Sequence, residues 1–156
     1  MRRKVKRKTS VRPDYKYNSI KVEQFINYTM HDGKKEVARA SVYGMFDDIK
    51  ETMKVENPIE VFEQAIKNVS PTTEVRSRRI GGATYQVPRE VRPERRQALA
   101  YRWIIDAARS KKGATIRKRL GDEIMAASKN EGEAVKKREN TQKMADANRA
   151  FAHFAW

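Results

Sequence analysis

Arg76, Arg78 and Arg79 stand just before Gly81-Gly82, and Tyr85 and Val87 just after it. Guanidinium forks fit phosphate oxygens, and a tyrosine ring offers a face on which an unstacked base can lie. Arg76 and Arg78 fall two residues apart, so on a strand they project from one face. The chemistry suggested is nucleic-acid binding rather than bond making.

Other chemistries find less support. With no cysteine, disulfides, thiolate nucleophiles and cysteine-ligated zinc are excluded. His31 and His153 are the only histidines, and His31-Asp32 reads as a helix-end cap or surface pair. Asp47, Asp48, Glu51, Glu56, Glu60 and Glu63 read as solvated helix faces, whereas a metal-dependent nuclease needs carboxylates converging on a pocket. Asp32-Gly33-Lys34-Lys35 lacks the first glycine and the Ser/Thr of a phosphate-binding P-loop. Neither catalysis nor a cofactor or metal is expected.

The arginines need an element that presents them. Gly81 and Gly82 can both take positive φ, as a two-residue hairpin turn requires. The predicted hairpin, 74–88, sets Ile80 opposite Ala83, Arg78 opposite Tyr85 and Arg76 opposite Val87. Strands of this length reach about 23 Å at about 3.3 Å per residue, enough for a ribbon that projects. The plainer alternative is a solvated hairpin whose charges block edge pairing.

The charge of the whole chain favours the first reading. Lys and Arg total 35 against 20 Asp and Glu, a net charge of +15 over 156 residues. A polyanion is the expected partner. Arg2, Arg3, Lys4, Lys6, Arg7, Lys8 and Arg12 make residues 1–17 a basic arm with too little apolar surface to fold alone. It either orders on RNA phosphates or merely solubilises the chain. No apolar run is long enough to span a membrane.

Residues 18–150 read as a single helical domain, mainly α, with six helices in a bundle-like arrangement and the hairpin between helices 3 and 4. Ser19 caps a first helix to about His31, burying Val22, Phe25, Ile26, Thr29 and Met30. Lys34 and Lys35 open the second, with Ala38, Val42, Met45, Ile49 and Met53 as its stripe. Asn57 caps the third, Pro58 fills its first turn, and Glu60 can reach back as in a capping box. Pro93 starts the fourth, to about Lys111, whose buried side is Leu99, Ala100, Trp103, Ile104 and Ala107. Arg95, Arg102 and Arg109 form a separate stripe there, and Arg92 extends it towards the hairpin base.

Lys111 and Lys112 lie in a loop. Thr115 caps the fifth helix, with Ile116, Leu120, Ile124 and Ala127 buried. Arg117, Lys118 and Arg119 crowd its first turn against the helix dipole, a conflict that a bound phosphate would relieve. The sixth runs from about Glu133 to Phe151, with Lys136, Lys137 and Arg138 near its start and Thr141, Met144, Ala145, Asn148, Phe151 and Ala152 on one face. The tail, 151–156, is aromatic. Its rings, Trp156 included, either pack on the body or stack on bases.

The chain resembles the bacterial small-subunit ribosomal protein S-seven family over nearly its whole length. The resemblance rests on Phe25-Ile26-Asn27-Tyr28-Thr29-Met30-His31-Asp32-Gly33-Lys34-Lys35, on the segment from Glu74 to Pro88, on Glu90-Val91-Arg92-Pro93-Glu94-Arg95-Arg96, and on Ala134-Val135-Lys136-Lys137-Arg138-Glu139 leading into 147–153. It implies six helices with a protruding ribbon. It also implies a structural constituent of the small (30S) ribosomal subunit, a primary binder of 16S rRNA in the 3′ major domain that nucleates assembly of the head. The implied partners are exit-site tRNA, neighbouring small-subunit proteins and the protein's own mRNA; the implied place is the ribosome in the cytoplasm. The resemblance matches Lys34 and Lys35, the ribbon arginines, and Arg92, Arg95, Arg96, Arg102 and Arg109 to the family's basic positions. At Phe154-Ala155-Trp156 the family commonly has tyrosine and arginine before the tryptophan, so one basic tail position is absent. A DNA-binding protein and a nuclease are the competing classes.

Overall fold

The computed structural model describes residues 11–154. Arg2, Arg3, Lys4, Lys6, Arg7, Lys8 and Trp156 therefore lie outside the described residues. Among the described residues are six α-helices: α1 (Ile20–Thr29), α2 (Lys35–Met53), α3 (Pro58–Val69), α4 (Pro93–Ser110), α5 (Ile116–Ser128) and α6 (Glu133–Ala147). A hairpin of β1 (Thr73–Ile80) and β2 (Ala83–Glu90) separates α3 from α4, and a 3₁₀ helix, Arg149–Phe154, follows α6. The chain divides into two compact units after Ala40, with the boundary inside α2.

In the first unit, Val22, Phe25 and Ile26 of α1 are buried. Ser19 stands at the N-cap, but its side chain makes no capping bond. The turn before it is organised instead by the buried Asp14, whose Oδ2 accepts from the amides of Lys16 (3.1 Å) and Tyr17 (3.0 Å). The helix ends at Thr29, short of the predicted His31. Met30 leaves the helical region and is half-buried, and Asp32 (φ 51°) and Gly33 (φ 73°) turn the chain through left-handed backbone. The carboxylate of Glu23, 8% exposed, pairs with Lys35 and lies near Arg39.

The second unit has its core where α2 to α6 meet. Val42, Met45, Phe46, Ile49, Phe62, Ala65, Val69, Ala100, Ile104, Leu120, Ile124 and Ala127 are fully buried. Phe46, absent from the predicted stripe of α2, meets Phe62 edge-on at 5.5 Å, and Phe62 stacks on Tyr101 at 6.4 Å. Met53 and Ile116 are half-exposed at the ends of their helices. The buried side of α4 is rotated from the predicted one. Tyr101, Ile105 and Ala108 are inside, while Leu99 and Trp103 are half-exposed. On α6 the buried residues are Ala134, Val135, Thr141 and Ala145; Met144 is exposed, as is Ala152 beyond the helix. That helix stops at Ala147 rather than Phe151; the Asn148 side chain turns back to the Met144 carbonyl at 2.8 Å, and the 3₁₀ helix follows.

Several helix ends in this unit are capped by a neighbouring helix. Asn57 caps α3 locally by accepting from the Ile59 amide (3.2 Å), and its amide donates to Glu60 rather than Glu60 reaching the backbone. Thr115 caps α5 locally too, by accepting from the Lys118 amide, whereas three helix C-termini use tertiary partners. Asn68 of α3 donates to the Ala127 and Ser128 carbonyls that end α5 (2.8 and 2.9 Å). Arg138 of α6 donates to the Asn68 carbonyl at the end of α3, and Arg119 of α5 donates to the Arg109 and Lys111 carbonyls that end α4. Terminal carbonyls lack partners within their own helix, and a cation there also meets the negative end of the helix dipole.

The start of α6 has the converse arrangement. Its N-cap is Gly132, which has no side chain to cap with. Glu123 of α5 supplies the carboxylate instead, accepting from the Ala134 amide at 2.9 Å while fully buried. Gly132 sits at φ 95°, and a Cβ there would stand 2.9 Å from Glu123 Oε1. Gly132→Ala is expected to cost about 1–3 kcal/mol, combining left-handed strain with displacement of the cap. Urea unfolding checks this, and a loss below 0.5 kcal/mol, roughly the level of a neutral surface change, would contradict it.

Candidate nucleic-acid interface

The hairpin register is the predicted one: Ile80 pairs with Ala83, Arg78 with Tyr85 and Arg76 with Val87. Gly81 (φ 56°) and Gly82 (φ 89°) form the turn, and no heavy atom would lie within 4 Å of a Cβ built on either. Backbone conformation, rather than crowding, demands glycine there. Arg76 and Arg79 are exposed and Arg78 is half-exposed. On the opposite face, Gln86 donates to Ser77 Oγ at 2.9 Å.

Tyr85 is not an open stacking platform. Its ring lies 5.2 Å from that of Phe151 and 5.6 Å from that of Phe154, so the 3₁₀ helix covers it and leaves it half-buried. Of the two readings of the tail, packing holds for Phe151 and Phe154. Val87, two residues nearer the hairpin base, is 3% exposed. The ribbon's outer part thus carries its arginines beside an apolar clasp.

At the base, Glu74 joins the ribbon to α4. Its side chain is 11% exposed; Oε1 accepts from Arg76 Nε at 2.9 Å and Oε2 from Arg95 Nε at 3.2 Å. Arg96 Nε donates to the Val91 carbonyl at 2.9 Å, and Thr72 and Thr73 both donate to Gln142 of α6. Arg92, Arg102 and Arg109 are exposed along the outer side of α4. The predicted arginine stripe therefore exists, and its link to the ribbon is a carboxylate that the sequence reading left out. The available signal was Glu74 two residues before Arg76, on the same strand face.

Other predicted contacts are tied into the protein. The Lys111 ammonium lies 2.6 Å from Glu123 Oε2, a charge contact without the alignment of a hydrogen bond. Arg117 makes a two-pronged bond to Asp48, which raises its pKa, and it lies over Gly44. Asp48 is thus half-buried and paired rather than solvated. Arg119 turns to the end of α4, so the cations in the first turn of α5 are partly compensated from within. Lys136 bonds Glu133 at 2.8 Å, raising its own pKa and lowering that of Glu133. Arg138 serves the end of α3, and Lys35 pairs with Glu23. Arg12, Lys34, Lys112 and Lys137 are exposed.

The arrangement offers exposed guanidinium groups on a ribbon and along a helix, suited to phosphates rather than to bond cleavage. Among the described residues, no group of His, Asp and Glu is placed to hold a metal ion, and no helix is long and apolar enough to cross a membrane. Comparison with known families finds a match over residues 1–149 to the family described as ribosomal protein S7p/S5e. Small ribosomal subunit protein uS7 of Thermotoga neapolitana is 54% identical over 156 residues, the whole of both chains. The protein of that name from Francisella philomiragia is 57% identical over 149 residues, 96% of this chain and 95% of that one. The one from Methylobacterium nodulans is 56% identical over 155 residues, 99% of each.

Proposed function

The chain belongs to the ribosomal protein S7p/S5e family, and on that premise we propose that it binds 16S rRNA in the subunit head, nucleates assembly there, and works without catalysis. It is a structural component of the small ribosomal subunit, as its relatives' names state. The observation that carries the finer reading is the run of arginines from the ribbon tip to α4. Arg78 and Arg76, on one face of the ribbon, lead to Arg95, Arg102 and Arg109 on α4, so one basic track crosses two elements. Such a track can hold two RNA helices in a fixed relation, reading backbone shape because side chains cannot enter the narrow major groove of an RNA duplex. Exit-site tRNA, neighbouring small-subunit proteins and the protein's own mRNA are the further partners in this proposal.

The test is a titration against a folded multi-helix junction from the 16S rRNA 3′ major domain. Duplex DNA of equal charge competes across a salt series. Binding that survives the competitor, and that weakens about tenfold or more in Arg76→Ala/Arg78→Ala, is expected, since each lost phosphate contact also lowers the salt slope by about one. Equal affinity for both polymers, with no effect of the variant, would reduce the binding to nonspecific electrostatics.

A further inference from the structure

We propose that Glu74 is a positioning residue that converts Arg76 and Arg95 into one phosphate-binding fork; this rests on the RNA-binding reading above. A carboxylate in a protein that must hold a polyanion is, by net charge alone, a liability. This one is nevertheless placed between ribbon and helix, at 11% side-chain exposure, while its partners Arg76 and Arg95 are 51% and 42% exposed. The acid is inside and the two guanidinium groups face outward.

The atoms used explain the arrangement. Each arginine spends its Nε on a separate oxygen of Glu74. Their terminal amino groups make no hydrogen bond among the described residues and stand on half-exposed side chains, so these donors remain for a ligand. Without the carboxylate, two adjacent guanidinium groups repel, and each long side chain keeps its rotamer freedom. With it, one net positive charge remains, held on two fixed forks from different elements. An RNA phosphodiester, with one negative charge and two accessible oxygens, matches that remainder. Preorganisation of this kind lowers the ordering cost at binding.

The experiment uses the full chain and the same RNA junction, with variants Glu74→Gln, Arg76→Lys and Arg95→Lys, and with each lysine variant also combined with Glu74→Gln. Circular dichroism and urea unfolding confirm that each is folded. Glu74→Gln removes a negative charge, so simple electrostatics demands equal or tighter binding. The positioning role demands weaker binding, by about fivefold, the size expected for coupled neighbours. Arg76→Lys and Arg95→Lys keep the charge and are also expected to weaken binding, but by much less when Glu74 is already Gln. These two lie at the surface, so they report on the fork even if Glu74→Gln unfolds. The proposal is overturned if Glu74→Gln binds RNA at least as tightly as wild type, or if the lysine variants match wild type. Either result, with wild type still preferring RNA to duplex DNA, leaves the RNA-binding reading intact. Loss of that preference in wild type would instead remove the broader reading and the fork with it.

Discussion

Glu123→Ala is expected to lower unfolding stability by about 2–4 kcal/mol, because it removes a buried carboxylate on which two other groups depend. The Ala134 amide, with Ala134 1% exposed, loses its acceptor at the start of α6. The Lys111 ammonium, 37% exposed, can swing into water, which keeps the loss below that of a wholly buried pair. Lys111→Ala works from the other side and leaves the carboxylate buried without its counter-charge. It should cost about 3 kcal/mol, far more than an ordinary surface lysine. The double variant should cost less than the sum, since each change removes the reason for the other's penalty. Urea unfolding of the four proteins gives the answer. If Lys111→Ala is neutral and the effects add, the pair is incidental.

The second large effect is at the aromatic centre. Phe62→Ala should destabilise by about 3–5 kcal/mol, through lost burial and the cavity left between neighbours that cannot close over it. Phe62 is fully buried between Phe46 of α2 and Tyr101 of α4, the first edge-on (86°) and the second nearly parallel (6°). Tyr101 is further held by Gln97, whose amide donates to the phenol at 2.6 Å. The ring therefore touches fixed partners on both sides. A loss of less than about 1.5 kcal/mol, as for a volume-conserving swap, would mean the core collapses around the gap.

What could be read from the chain and what could not follow from how far each signal reaches. The hairpin is local: Gly81-Gly82 sets the turn, period two sets the faces, and the register from Ile80–Ala83 to Arg76–Val87 came out as expected. The cap of α3 by Asn57 is equally local. Along α4, counting apolar residues by period misplaced the buried side, because Tyr101 and Trp103 compete for it and only the neighbouring helices decide. Tyr101 is the one inside, parallel to Phe62 of α3, with its hydroxyl bonded to Gln97 one turn back on the same helix. Glu123, Arg119 and Arg138 each satisfy a helix terminus from another helix, and no sequence spacing announces such a partner. The candidate interface shows the same division. Its cations could be picked out by type, but the link from Glu74 to Arg95 and that from Asp48 to Arg117 join residues far apart in the chain and became visible only in three dimensions.

The clasp on Tyr85 gives the ribbon a history in time. Its covering rings, Phe151 and Phe154, come much later in the chain than the strand they cover. At about 5–20 residues per second, synthesis leaves roughly several seconds between the two. During that interval the hairpin can close on its glycine turn, but its tyrosine stands bare and its outer half lacks support, and isolated ribbons are marginal in water. The arm is completed last. A chain interrupted before Phe151 would carry every ribbon arginine in the right order, yet present them on a ribbon without its clasp.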